Sequence, residues 1–258
     1  MATNLDSGII EILGRTFDFY GPYEDRWYED VKAKGYYHEF DVKRLIPLIG
    51  PDAIVVDAGA NVGCMTLAFA TLAHRGHVLA IEADRNTASA LRRTVEANRL
   101  SNVTVHCGVL SAREHAVHFA CDPTMPAAAH IDPAGEPNRN ARSLDTLVAE
   151  YALPRVDFIK LDVEGAELDV LKGAEETLRR WNPTVLMEFN SFAFVHYRNI
   201  LPRRALADIR ARYSSISYFK NRTGDLRPLD DDEAFLRHNL LHGLVDDLLC
   251  VNPGGAAA

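Results

Sequence analysis

The stretch Ile54–Gly63, IVVDAGANVG, constrains the fold of this chain more than any other. Three apolar residues and an acid predict a short buried strand ending at Asp57. Gly59 and Gly63 then predict a tight turn, because glycine alone enters left-handed backbone conformations without steric cost. Val62–His74 follows with helical spacing, Leu67, Ala70 and Ala73 among its apolar positions. A strand that turns sharply into a helix is the opening half of a βαβ unit.

The rhythm continues. His77–Glu82 reads as a second strand, and Asp84 as the N-cap of a helix to about Asn98, with Ala88, Leu91, Val95 and Ala97 apolar. Asn102–Cys107 reads as a third strand. A helix over Leu144–Tyr151 precedes a strand over Val156–Leu161. A helix over Ala166–Arg180 carries Leu168, Leu171 and Leu178 on one face, and Pro183 breaks the chain before a strand over Thr184–Phe189. Alternating strands and helices pair in parallel through right-handed crossovers. The expected fold is therefore α/β: a doubly wound, mostly parallel sheet with helices on both faces. Pro202–Arg212 reads as a helix, and strands over Ser214–Lys220 and Gly243–Val251 add an antiparallel C-terminal strand, with NRTGD at 221–225 as a turn.

Two segments depart from this pattern. Residues 1–50 read as an N-terminal cap or substrate lid, with a strand at Arg15–Tyr20 and helices near Glu24–Ala33 and Glu39–Ile49. Residues 121–140 hold four prolines and few apolar anchors and read as one long loop. Residues 51–252 make the ligand-binding domain, and 253–258 a disordered tail.

Composition narrows the function. The net charge of −8 argues against a long phosphate backbone as partner, since nucleic-acid binders present a positive surface. The four cysteines are scattered and form no CxxC pair, so neither a zinc knuckle nor a redox dithiol is indicated. The N-terminus lacks the pattern of a signal peptide, and the most apolar stretch, VGCMTLAFATLA, is too short to span a bilayer. A reducing, cytoplasmic setting is expected.

Ligands of such sheets bind beyond the carboxyl ends of the strands. The first strand ends D-A-G-A-N-V-G, which is not the dinucleotide fingerprint G-x-G-x-x-G. Asp57 suits a ligand with positive charge, and the next helix offers unpaired N–H groups. Glu82 closes the second strand, 19 residues past Gly63, where an acid accepts both hydroxyls of a ribose. A cationic adenosine derivative without pyrophosphate, S-adenosyl-L-methionine, meets these demands.

VVDAGANVGCMTLAFA, VLAIEAD, SLDTL and DFIKLDVEGAELDVLKGAEETL together resemble the FkbM-type branch of class I S-adenosylmethionine-dependent methyltransferases, over about Glu39–Asn190. The resemblance implies a Rossmann-like fold and O-methylation of a sugar or natural-product hydroxyl. It implies that Asp57, Gly59, Asn61 and Gly63 line the methionine end, that Glu82 with Ala83 holds the ribose, and that Gly108 or Val109 borders the adenine. Glu39, in HEFD, matches the first acid of the family's YEPE, although Phe40 replaces its proline.

On the acceptor side, Asp162 ends the fourth strand in KLDVEGAE and faces either the methionine ammonium or the acceptor hydroxyl. Glu188 and Asn190, in LMEFN, approach the same sheet edge. Glu188 serves as a general base or acceptor clamp. In an alternative, Asp162, Glu188 and Asn190 bind a divalent ion with oxygen ligands, as in catechol O-methyltransferases; no residue is assigned as a metal ligand in the main reading. His196 is a further candidate base, His130 a weaker one, and His38 a pocket-lining residue. Glu167 reads as a helix-start carboxylate and Lys160 as a partner for an acid. Eight basic residues against two acidic ones between Arg198 and Arg227 suggest either a patch for a phosphorylated acceptor, such as a nucleotide- or lipid-linked sugar, or a solvated helix face. The place after the fourth strand reads D-V-E-G rather than N-P-P-Y, which argues against amide-type N-methylation. The runners-up are an NAD-dependent reductase, disfavoured by the missing fingerprint, and a non-catalytic binding module of the same fold.

Overall fold

The computed structural model describes residues 5–37, 42–43, 45–219 and 225–252. Glu39 and His38, part of the helix expected near Glu39–Ile49, most of the 221–225 turn and the 253–258 tail lie outside the described residues. The chain forms two compact units, one of residues 1–109 with 121–129 and one of residues 110–120 with 130–258.

The first unit opens with a hairpin, β1 (Leu5–Ile12) and β2 (Arg15–Pro22), paired antiparallel in register Ile10↔Phe17. Helix α1 (Arg26–Lys34) follows, N-capped by the Asp25 side chain on the N–H groups of Trp27 and Tyr28 and closed by Gly35 at φ 71°. The parallel strands β3 (Ile54–Ala58), β4 (His77–Glu82) and β5 (Val103–Cys107) pair in that order, with Val56↔Leu79 and Ala80↔Val105. Every residue of β3 is buried, as expected of a parallel strand covered on both faces. Helix α2 (Cys64–Leu72) connects β3 to β4, and α3 (Arg85–Ala97) connects β4 to β5. Leu91 and Val95 of α3 pack on Ala80 and Val103. Asp84 caps α3 as expected, accepting from Asn86 and Thr87 N–H at 2.9 Å each.

The N-terminal segment, expected as a cap, is bound to this first unit. Asn98, at the end of α3, accepts the Asp18 N–H at 2.9 Å and donates to the Asp18 carbonyl at 2.7 Å. Thr94 Oγ1 accepts the Tyr20 N–H at 3.0 Å. Segment 121–129 also belongs here, and the Arg26 N–H donates to the Thr124 carbonyl.

In the second unit, the segment expected as a long loop contains short ladders. β6 (His115–Val117) pairs with β9 (Arg139–Arg142), and β7 (Phe119–Ala120) pairs with β8 (His130–Ile131). Strands this short carry no readable alternation. Helix α4 (Leu144–Glu150) precedes β10 (Phe158–Leu161), which pairs in parallel with β11 (Thr184–Asn190). Between them the expected single helix is two, α5 (Glu167–Lys172) and α6 (Glu175–Trp181). The break falls at Gly173, where a Cβ would stand 2.3 Å from the Ser111 carbonyl oxygen. The start of α6 is capped by Asp145 of α4, which accepts from Glu176 N–H, Thr177 N–H and Thr177 Oγ1 at 2.9, 2.8 and 2.6 Å.

Beyond β11 come α7 (Ser191–Arg198), α8 (Pro202–Arg210), β12 (Ser215–Phe219), β13 (Leu226–Pro228), α9 (Asp232–Leu241) and β14 (Val245–Val251). Strand β14 pairs antiparallel with both β11 and β12, and β13 extends the antiparallel side. Helices α7 and α9 were not expected; in α7, SFAFVHYR, aromatic and β-branched residues of weak helix preference hide the signal. The architecture is α/β and Rossmann-like, a large mixed sheet with parallel ladders and an antiparallel C-terminal strand. Among the described residues, no helix is long and apolar enough to cross a membrane. All four cysteines are free thiols.

Candidate functional site

In the first unit the turn after β3 is built from left-handed backbone positions: Gly59 at φ 82°, Asn61 at φ 51° and Gly63 at φ 103°. Asparagine is the non-glycine residue that tolerates this region best, and Asn61 Oδ1 also accepts the Val62 N–H. Gly63 is required twice over, since a Cβ there would lie 2.4 Å from Leu91 Cδ1. Gly63 caps α2 without a side-chain hydrogen bond, so the first N–H groups of that helix have no side-chain acceptor.

Glu82, at the end of β4, is buried. Its Oε2 accepts the Asn61 N–H at 2.8 Å and its Oε1 the Asp84 N–H at 2.7 Å. One carboxylate thus clamps the turn after β3 to the turn after β4. Burial pushes its pKa up to about 7 against the pull of these N–H donors, which include Ala83. Asp57 is fully buried and its Oδ2 accepts from Thr66 Oγ1 at 2.6 Å, tying the end of β3 to α2. Both acids therefore shape the turn, a task that strand-end position alone does not reveal.

One further group borders Glu82. The Cys121 thiol lies beside Asp84 and Glu82, and burial raises its pKa to about 12. Asp25 is fully buried, with Oδ1 capping α1 and Oδ2 without a hydrogen-bond partner among the described residues. Gly108 follows β5, donates to the Glu82 carbonyl at 3.0 Å, and has no room for a Cβ beside the His106 ring.

The second unit gathers acids at the carboxyl ends of β10 and β11. One oxygen each from Asp162, Glu164 and Glu188 lies within 4.8 Å of the others. Lys160 Nζ donates to Asp162 Oδ2 at 2.9 Å. Asn190 Nδ2 donates to Glu164 at 3.3 Å and Glu188 at 3.2 Å, while its Oδ1 accepts the Ala193 N–H that opens α7. Burial, then the Asp162 charge, lifts Glu164 to about 8, and the same causes in the same order raise Glu188 well above the usual carboxylate range. Glu167 is fully buried; its Oε1 accepts the N–H groups of Val163 and Gly165 at 3.0 and 3.2 Å, the helix-start role expected of it.

The structure thus joins Asp162 to Glu188 and adds Glu164, two residues past Asp162. Glu164 sits at φ 50° before Gly165 at φ 92°, and this sharp turn brings it to Asp162. Asn190 is a donor to the two glutamates rather than a ligand-type oxygen. His196 is exposed on α7, its ring stacked on Phe192 with centroids 4.9 Å apart. His130 stacks on Tyr197 at 3.6 Å, and Tyr197 has its pKa raised by burial and by Glu164. Among the described residues of the basic run, Arg198 pairs with Asp169, Arg203 with Glu233, Arg204 with Asp208, Arg210 with Asp232 and Arg212 with Glu175.

The family model described as the methyltransferase FkbM domain matches residues 57–210, more than half of the chain. This chain belongs to the FkbM methyltransferase family. It is 28% identical over 149 residues to Methyltransferase 1 of Beauveria bassiana, covering 48% of this chain and 59% of that protein. It is 24% identical over 188 residues to the 2-O-methyltransferase NoeI of Sinorhizobium fredii, covering 66% of this chain and 75% of that protein. The FkbM methyltransferase structure from Methylobacillus flagellatus aligns at 19% identity and a TM-score of 0.49, over 78% of this chain and 44% of that one. The chain thus spans less than two thirds of the length of the first of these relatives. The FkbM family is a branch of the class I enzymes, whose cofactor is S-adenosyl-L-methionine.

The residues present fit that cofactor. The donor chemistry is a buried carboxylate at a strand end for ribose hydroxyls, a left-handed glycine turn for close backbone approach, and a helix start without a side-chain cap for an anionic carboxylate.

Proposed function

We propose that the chain is an S-adenosylmethionine-dependent O-methyltransferase acting on a hydroxyl of a small acceptor, of the sugar or natural-product class. The observation that carries the reading is the Glu82 clamp, which ties the glycine turn to the end of β4 and leaves a ribose-type acceptor group at the strand edge. The NoeI relative, named a 2-O-methyltransferase, supports oxygen as the acceptor atom.

The bound cofactor supplies an activated methyl group on a sulfonium, and displacement at that carbon releases a neutral thioether. The protein's part begins with Glu82, which receives the ribose, and with Asp57, which holds the turn in place from beneath through Thr66. Gly59, Asn61 and Gly63 present backbone to the methionine end. The carboxylates of Asp162, Glu164 and Glu188 receive the acceptor, orient its hydroxyl and take up its proton as the new C–O bond forms. Orientation of this kind is worth roughly 7–11 kcal/mol in favourable models. Glu39 is proposed to bind the cofactor by its match to the family motif, Ala83 and Gly108 to border the nucleoside, and His196 to contact the acceptor. Residues 1–50 are proposed to contribute to acceptor selection.

The test is a labelled-methyl transfer screen against sugars and small hydroxylated metabolites. Label entering a hydroxyl-bearing acceptor supports the reading. Label entering only amines or nucleic acid would refute oxygen transfer to small molecules.

A further inference from the structure

We propose that Asp162, Glu164 and Glu188 bind one divalent cation. Their three carboxylate oxygens lie within 4.8 Å of one another. Oxygen ligands stand about 2.0–2.6 Å from a magnesium, manganese or calcium-type ion, so opposite ligands are separated by roughly 4–5 Å. The three groups come from two adjacent parallel strand ends, where backbone geometry holds them together before any ion arrives.

A second observation points to a ligand here. Glu167 is fully buried, and its Oε1 is held by the N–H groups on either side of Glu164. Its Oε2 is buried and has no hydrogen-bond partner among the described residues. The carboxylate therefore lies against the turn that carries two of the three ligands, with an oxygen whose charge no donor balances. Burying such an oxygen is costly unless positive charge compensates it. Lys160 provides one ammonium, and it is committed to Asp162. A doubly charged ion among them lowers the cost of holding these carboxylates charged side by side.

Asn190 supports the ligands without joining them. Its amide nitrogen orients Glu164 and Glu188, and its oxygen is spent on α7. The expected set of Asp162, Glu188 and Asn190 thus gives way to one in which Glu164 replaces the asparagine. Hard cations prefer these charged oxygens. As a holder of the acceptor oxygen, the ion rests on the O-methyl-transfer reading above. As a cation site, it rests on the three carboxylates and the buried Glu167 oxygen at their turn.

The test is manganese titration of the chelator-stripped full chain, followed by the electron paramagnetic resonance of free Mn²⁺, beside a calorimetric titration with S-adenosyl-L-methionine. The expected result is saturation at one ion per chain, with Glu164→Gln and Glu188→Gln each weakening it about 10-fold or more while circular dichroism shows both folded. Glu164→Gln should leave cofactor affinity within about twofold. Absence of saturable binding, or binding unchanged in both variants, overturns the cation site. A chain that binds the cofactor without the ion overturns this inference alone; one that binds the ion without the cofactor overturns only the methyl-transfer reading.

Discussion

Glu82 holds the backbone N–H of Asn61, 21 residues earlier in the chain, at 2.8 Å, while its other oxygen holds the N–H of Asp84. One side chain fixes the separation of the two turns proposed to receive the nucleoside. Replacing it with alanine removes both clamps and the proposed ribose acceptor. Glu82→Ala should weaken S-adenosyl-L-methionine at least ~10-fold, the equivalent of about 1.4 kcal/mol. Calorimetric titration checks this, and a wild-type binding curve would remove Glu82 from the cofactor site.

Asp57 predicts a different signature. It is sealed from solvent and bonded to Thr66, so its loss is felt first as a loss of fold. Asp57→Ala leaves the Thr66 hydroxyl buried beside a void, at a cost of about 1–3 kcal/mol. The urea midpoint should fall by a corresponding amount, and cofactor affinity should fall with it. A variant as stable as the parent contradicts the structural task assigned here.

The buried acids set a pH dependence of stability. Burial lifts Glu82 and Glu167 to about 7, and burial with the Asp162 charge lifts Glu164 to about 8. Each group binds its proton more tightly folded than unfolded, so the folded chain carries extra protons between the ordinary carboxylate pKa and these values. Their stabilisation is complete below the unfolded pKa and is lost as pH rises through about 7 to 8, because stability falls wherever the native state holds more protons. In chelator-containing buffer the urea midpoint should therefore decline from pH 5 to pH 8, and Glu167→Gln should flatten the decline. A midpoint that climbs over this interval contradicts the assignment.

The hairpin is held to α3 by a reciprocal pair, Asn98 to both backbone groups of Asp18. Asn98→Ala should cost about 1–2 kcal/mol and raise hydrogen exchange along Arg15–Pro22 before the parallel strands. Unchanged exchange there would show the hairpin secured by packing alone.

Much of the first unit was legible because its signals are local. Asp84 before an amphipathic run marks a cap, and IVVDA reads as a buried strand from composition alone. The acid cluster was only partly legible. Asp162 and Glu188 could be placed at strand ends, but Glu164 joins them through a left-handed backbone turn, a conformation that its residue type does not announce. The same limit hid the split between α5 and α6, which depends on the distant Ser111 carbonyl against Gly173. The two readings of the basic run could not be separated for a related reason: the acidic partners of Arg210 and Arg212, Asp232 and Glu175, lie elsewhere in the sequence.

The most direct measurement is calorimetric titration of the intact chain with S-adenosyl-L-methionine, run beside NADH. A turn clamped by Glu82 and lacking the dinucleotide fingerprint should take up one molecule of the sulfonium compound per chain and none of the dinucleotide. Saturable binding of NADH, with no heat from S-adenosyl-L-methionine, would contradict it.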